Sequence, residues 1–192
     1  MTRWPTLQAC AGATAPDRAS ARAALGLSPG DGPVLLADGS CRRQDDQKLV
    51  LWAGCILSML KPQLKVIVPG DGPVRGTLGS WIAQTGYGPI AVFTDARFER
   101  SVLLAAADVL VHAAAGESDG SSVRLAMAAG VPVVSVASPA ASPLIAHERT
   151  GLVCRAGPRD LAMQIRRVLI DASLRHKLTD AAGAEAANFA HA

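Results

Sequence analysis

ADVLVHAAAGESDGSSVRLAMAAGVPVVSV, residues 107–136, is the stretch whose reading decides the fold. DVLVHA (108–113) is a continuous apolar run of strand length. SSVRLAMAA (121–129) has the one-sided pattern of a short helix. GVPVVSV (130–136) is a β-branched strand entered through a Gly-x-Pro stop. Strand, loop, helix and strand in this order make a βαβ unit.

The same alternation extends outward in both directions. Asp17 is placed to cap a helix over 18–25 that Gly26 ends. PVLLAD (33–38) reads as a strand. DDQKLVLWAGCILSML (45–60) reads as a helix with Asp45 and Asp46 in its first turn, stopped before Lys61-Pro62. LKVIVP (64–69), PIAVFT (89–94) and LVCR (152–155) read as strands, with helices over about 73–85, 97–107, 158–171 and 172–189. Strands alternating with such helices specify a parallel sheet covered on both faces, an α/β Rossmann-like doubly wound fold. Residues 1–16 read as a linker-like lead-in and 17–192 as one domain. Ligands of such sheets bind beyond the carboxyl ends of the strands, beside the topological switch point. The loops that qualify are 39–46, 69–73, 94–97, 112–122 and 137–143.

Composition excludes several classes. The chain has 192 residues, 49% of them hydrophobic and 18% charged, which fits a globular domain rather than a disordered one. No apolar run reaches the roughly 18 residues of a membrane helix, and the N-terminus lacks a signal-peptide core, so a cytoplasmic location is expected. A net charge of +3 and an aromatic content of 4% offer no nucleic-acid surface. Cys10, Cys41, Cys55 and Cys154 have no paired spacing, and His147-Glu148 lacks the second histidine of a zinc motif. Neither a metal nor another cofactor is expected.

Two turns can carry chemistry. Gly70-Asp71-Gly72-Pro73 follows a strand and opens a helix, but with Arg75 in place of a third glycine it is not the dinucleotide fingerprint. It serves either as a plain strand-to-helix turn or as a close-approach loop. Glu117-Ser118-Asp119-Gly120-Ser121-Ser122 precedes a helix whose amides and positive end face the strand-end crevice, a natural phosphate site. The plainer alternative is that Ser121 or Ser122 caps that helix. His112 ends a strand beside this crevice, where a histidine satisfied by its neighbours is the favoured reading over a functional one. His176 and His191 fall on surface positions near the C-terminus.

In this order the motifs resemble the C-terminal half of glycosyltransferase family 4, the retaining enzymes of GT-B architecture. Ala126-Met127-Ala128-Ala129-Gly130 with Val131-Pro132-Val133-Val134 matches the family's "EAMAAGxPVV", and Val66 to Leu78 matches "ivGdGpxrxxL". Gly151-Leu152-Val153 and Asp160-Leu161-Ala162 match "tGllv" and "dLA". The resemblance implies that Glu117 faces the donor sugar as the catalytic-side acid. It also implies that Asp119, Gly120, Ser121 and Ser122 hold the diphosphate, and that Gly39, Gly70 and Gly72 shape the cleft.

Several positions depart from the family pattern, among them Asp119, which adds a negative charge where an anion should sit. Ser40 and Asp45 stand where an arginine and a lysine neutralise the diphosphate, and Leu125 stands where a second acid holds the ribose. Two lost phosphate contacts at roughly 1.5–3 kcal/mol each would weaken donor binding about 10²–10⁴-fold, unless Arg42 or Arg43 substitutes. The resemblance further implies an N-terminal GT-B domain, in cis or in trans, without which this half should not turn over a nucleotide diphosphate sugar. The competing reading is a degenerate module that kept the fold and acts as a non-catalytic subunit or interaction domain.

Overall fold

The computed structural model describes residues 16–114, 120–139 and 141–189. Strands β1 (Val34–Ala37), β2 (Lys65–Pro69), β3 (Ala91–Thr94), β4 (Val109–His112), β5 (Val133–Val136) and β6 (Leu152–Cys154) form one sheet in the order β3-β2-β1-β4-β5-β6. Every neighbouring pair is parallel. Helices α1 (Arg18–Ala24), α2 (Gln47–Ser58), α3 (Arg75–Gln84), α4 (Arg100–Ala106), α5 (Ser121–Ala128), α6 (Pro158–Ile170) and α7 (Ala172–Phe189) cover it. This is the doubly wound Rossmann-like architecture that the alternating pattern specifies.

The chain steps from β1 outward through α2 and α3 to the edge strand β3, then returns past β1 and steps the other way through α4 and α5. Right-handed crossovers therefore put the two helix pairs on opposite faces, and the reversal leaves β1 and β4 side by side at the switch point. Alternate residues of the central strands feed two cores. Leu35, Ala37, Val109 and Val111 pack with Leu51 of α2 and Leu161 and Ile165 of α6. Val34, Leu36 and Leu110 pack with Leu103 of α4 and Val123 and Met127 of α5. Helix α7 contributes Leu178 to the first core and Ala182 and Ala186 to the second, so it spans both layers.

Asp17 caps α1 as the sequence implies, accepting from the amides of Ala19 and Ser20. The start of α2 differs. Residues 43–45 form a 3-10 turn, Asp46 takes a left-handed φ of 45°, and α2 begins only at Gln47. Asp45 and Asp46 are therefore not first-turn residues of that helix. The reason is local competition, because the Asp45 side chain bonds backward to loop amides instead of continuing the helix. Helices α3 and α4 also start later than the hydrophobic pattern suggests, at Arg75 and Arg100.

Two helical glycines should respond oppositely to a methyl group. A Cβ at Gly54 would lie 2.7 Å from Val66 Cγ2 in the core, whereas one at Gly79 would meet nothing within 4 Å. Gly54→Ala is expected to cost about 1–3 kcal/mol through overpacking, less whatever helix propensity returns. Gly79→Ala is expected to gain about 0.5–1 kcal/mol. Urea denaturation midpoints moving in opposite directions would bear this out, and a stabilised Gly54→Ala would show that α2 does not pack on β2 as described.

Candidate functional site

At the carboxyl ends of β1 and β4 the otherwise apolar second core closes with a polar cluster. Asp38, one residue beyond β1, is buried, and its Oδ2 lies 2.7 Å from Nδ1 of the fully buried His112 at the end of β4. Its Oδ1 accepts from Gly39 N (2.8 Å) and from Nη1 of Arg100, the first residue of α4 (3.2 Å). The same Arg100 nitrogen donates to Oγ of Ser122 on the first turn of α5 (2.9 Å). One carboxylate thus joins β1, β4, α4 and, through Arg100, α5 at the switch point.

Burial alone would raise the Asp38 carboxyl, but the hydrogen bond from His112 and the charge of Arg100 outweigh it and hold the group below its ordinary value of 3.8. Facing an ionised carboxylate, Nδ1 of His112 must carry the hydrogen, so in the neutral ring Nε2 is an acceptor. That atom is buried and has no hydrogen-bond partner among the described residues. The histidine is therefore satisfied on one side only, and its open nitrogen is chemically suited to take a hydrogen bond from a hydroxyl.

The neighbouring wall consists of two interlocked loops. Asp45 Oδ2 accepts from Ser40 N (2.6 Å) and Arg42 N (2.9 Å), closing the loop after β1 around its own carboxylate. The loop after β2 is pinned to it by bonds from Gly72 N to Ser40 O (3.0 Å) and from Val74 N to Cys41 O (3.1 Å). A Cβ at Gly70 would fall 2.4 Å from Ser40 Cα, and one at Gly72 would fall 2.3 Å from Ser40 O. The close approach these glycines permit is therefore between the two loops. Gly39 is excluded from carrying a side chain by Asp45, whose Cβ would lie 2.5 Å from its own. Arg75 finishes this wall by donating to the carbonyls of Gly70 (2.8 Å) and Thr94 (2.6 Å).

The structure brings Gly39, Gly70, Gly72, Gly120, Ser121 and Ser122 to the carboxyl-end side of the sheet. Gly120, at a left-handed φ of 66°, is the residue that precedes α5 and has no side chain with which to cap it. The idea that Ser121 or Ser122 caps it is thereby corrected: both lie inside the helix, and Ser122 instead accepts from Arg100. Arg42 and Arg43 are exposed, and their guanidinium groups form no ion pair among the described residues. Glu117 and Asp119 lie outside the described residues. Leu125 is buried in the second core. Sequence reasoning missed Asp38 and Arg100. The available signal was an acid ending the wholly apolar strand VLLA and a lone arginine opening an apolar helix on the returning crossover.

Other chemistry is not supported. Burial pushes the thiols of Cys41 and Cys154 up to about 11, and burial also raises Cys55, so all three stay protonated and unreactive near neutral pH. Among the described residues no group of His, Cys, Asp and Glu could hold a metal ion. His147 Nδ1 accepts from Val153 N (2.9 Å), a structural bond beside β6.

Asp38→Asn should destabilise the fold by about 2–3 kcal/mol near neutral pH, below the roughly 3–5 kcal/mol for breaking a fully buried ion pair, because the Arg100 side chain keeps 23% exposure. A carboxyl lowered in the folded state contributes its stability above its ordinary value of 3.8 and loses it as the pH falls through the lowered one. The gap between wild type and variant in urea denaturation should therefore shrink below about pH 4. A gap independent of pH from 7 to 3 would remove the charge of Asp38 from the account.

Residues 21–184 match the family described as Glycosyl transferases group 1. The chain is 32% identical over 186 residues to a D-inositol 3-phosphate glycosyltransferase of Nocardioides sp., a match covering 88% of this chain and 40% of that protein. It is 34% identical over 96 residues to a GDP-mannose-dependent alpha-mannosyltransferase of Mycobacterium tuberculosis, covering 49% of this chain and 24% of that one. The chain thus spans less than half the length of these curated relatives. Anabaena HepE, crystallised with UDP and glucose, superposes with a TM-score of 0.81 at 23% identity, over 91% of this chain and 48% of HepE. The C-terminal domain of a group 1 glycosyl transferase from Francisella tularensis superposes with a TM-score of 0.78 at 18% identity, over 90% of this chain and 92% of that domain. These structural likenesses bear on the fold. The match over residues 21–184 establishes more, that the chain belongs to the group 1 glycosyl transferases.

Proposed function

We propose that this chain is the donor-binding half of a retaining, family 4 GT-B glycosyltransferase. It would hold a nucleotide diphosphate sugar and act with an N-terminal domain, in cis or in trans, that supplies the acceptor side. The observation that carries the reading is the position of α5: in a group 1 glycosyl transferase sheet, its N-terminus stands at the crevice between β1 and β4. A helix start there offers oriented amides and a positive end to a diphosphate. The reading is supported by HepE, which has the same fold and was crystallised with UDP and glucose.

In this reading the amides of Gly120, Ser121 and Ser122 hold the phosphates, and Glu117 faces the sugar. Arg42 or Arg43, exposed on the loop after β1, supplies the positive charge that Ser40 and Asp45 do not. Gly39, Gly70 and Gly72 set the shape of the wall by letting the two loops lock together. Asp119, next to Gly120 in sequence, belongs to the same donor-binding set in this reading. Without a facing domain, the bound sugar would be neither shielded from water nor presented to an acceptor, so the isolated half binds without turnover.

A second reading has its own observation. The Asp45 carboxylate occupies the amides of Ser40 and Arg42 and is itself negative. A phosphate approaching this loop meets an anion already in place, and the buried Leu125 offers nothing to a ribose. On this reading the domain kept the fold as a non-catalytic subunit or interaction module.

Thermal unfolding of the chain with UDP, GDP, ADP and their sugar conjugates separates the two. A ligand at 100 times its dissociation constant adds about 2.7 kcal/mol, a rise of roughly 5–10 °C for this size. A shift with one nucleotide series is expected, and it should fall in Arg42→Ala with Arg43→Ala. No shift with any nucleotide at about 1 mM would overturn donor binding in favour of the degenerate module.

A further inference from the structure

We infer that the end of the sheet opposite the crevice docks on an anionic lipid bilayer, with a phosphate headgroup entering a basic cavity there. The inference is independent of whether the crevice binds a nucleotide.

The cavity, of about 640 Å³, opens beneath the amino-terminal ends of the central strands, between Pro33, Asp108 and Pro132, and is walled by α1, α4, α6 and α7. Arg18, Arg22, Lys61 and Arg175 line it against the single carboxylate of Asp108, which leaves an excess of three positive charges. Asp108 is taken up by Arg18 and Arg22, the latter at 2.9 Å, and by the amide of Val34. Arg22 also serves the carbonyls of Ala106 and Asp31, and Arg175 serves that of Val168. These bonds build a fixed basic wall. Lys61 is exposed and forms no ion pair among the described residues.

The rim of this cavity is apolar and exposed. Met59 and Leu60, immediately before Lys61, are 73% and 65% exposed, and Ile170, immediately after the cavity residue Leu169, is 57% exposed. The stripe continues up the outer faces of the packed helices α2 and α6 through Trp52 and Met163, both more than half exposed. Its charged neighbours on those helices include Lys48, Arg159 and Arg166, and also Asp160, which pairs with Arg155 at 3.1 Å. The carboxylate beside the rim, Asp171, accepts from Leu174 N and starts α7.

Long apolar side chains at protruding helix ends, cations around them and a basic cavity behind them match the layered chemistry of an anionic membrane surface. Apolar tips reach the acyl boundary while cations face the phosphates. A cavity with excess positive charge would suit free phosphates too. The exposed Met59, Leu60 and Ile170 favour the lipid-borne group, because a soluble phosphate gains nothing from them.

The test is flotation of the 192-residue chain with vesicles of phosphatidylcholine alone or with 30% phosphatidylglycerol, circular dichroism verifying the fold of each variant. Binding is expected only to the anionic vesicles. At about fivefold per basic residue, Lys61→Glu should weaken it roughly 5–25-fold. The double variant Leu60→Ser with Ile170→Ser should lose it while remaining folded. Equal binding to neutral vesicles, or binding that both variants retain, would overturn the inference. So would competition by millimolar glycerol phosphate together with indifference to the apolar variant, which would point to a free phosphate ligand. Binding to neither vesicle would overturn it as well and leave this face to a protein partner.

Discussion

The Asp38 carboxylate is the point on which the carboxyl-end half of the molecule depends. It stands where the sheet reverses direction, between the two strands that no connection joins directly, and it ties each to the helix elements arriving from the opposite edge. A buried charge at that position is tolerable only because His112, Arg100 and the Gly39 amide together satisfy it. The same bonds set the spacing between the β1 loop and the start of α5. Fold and site are coupled here through one group.

A second constraint acts beside it. The loops after β1 and β2 approach so closely that only glycine fits at 39, 70 and 72, and the Asp45 carboxylate organises the first of them from within. A negative side chain at this position is costly to donor binding when read as the replacement of a lysine. It is also the group that holds its own loop closed. The two descriptions are compatible: a loop held by an internal anion is well ordered and less receptive to an external one. This is why family membership and donor affinity are separate questions for this chain.

The two ends of the sheet differ in kind. The carboxyl end carries a buried polar cluster with paired charges beside an interlocked wall. The amino end is an open basic cavity with an apolar rim. Nothing in a doubly wound fold requires the latter, since strand starts can be closed by ordinary turns. The accumulation of exposed Met59, Leu60 and Ile170 beside Lys61 and Arg175 is a property of this chain's surface rather than of its architecture.

The strand and helix segments and the two-sided covering of the sheet were legible in the sequence, because apolar periodicity and Gly/Pro punctuation act over a few residues at a time. Ala126 to Val134 and Gly70 to Pro73 carried the family resemblance for the same reason. The start of α2 was not legible: Asp45 and Asp46 are good first-turn residues by propensity, and only the folded loop offers Asp45 the competing amides of Ser40 and Arg42. Nor was the cluster of Asp38, Arg100, His112 and Ser122, whose members lie up to 84 positions apart in the chain and meet only once α4 and α5 cross back over the sheet. The sequence by itself determined which segments become strands and helices and to which family they belong. Tertiary structure alone decided which charges are buried together, because pairing depends on distances that close only after the sheet has reversed.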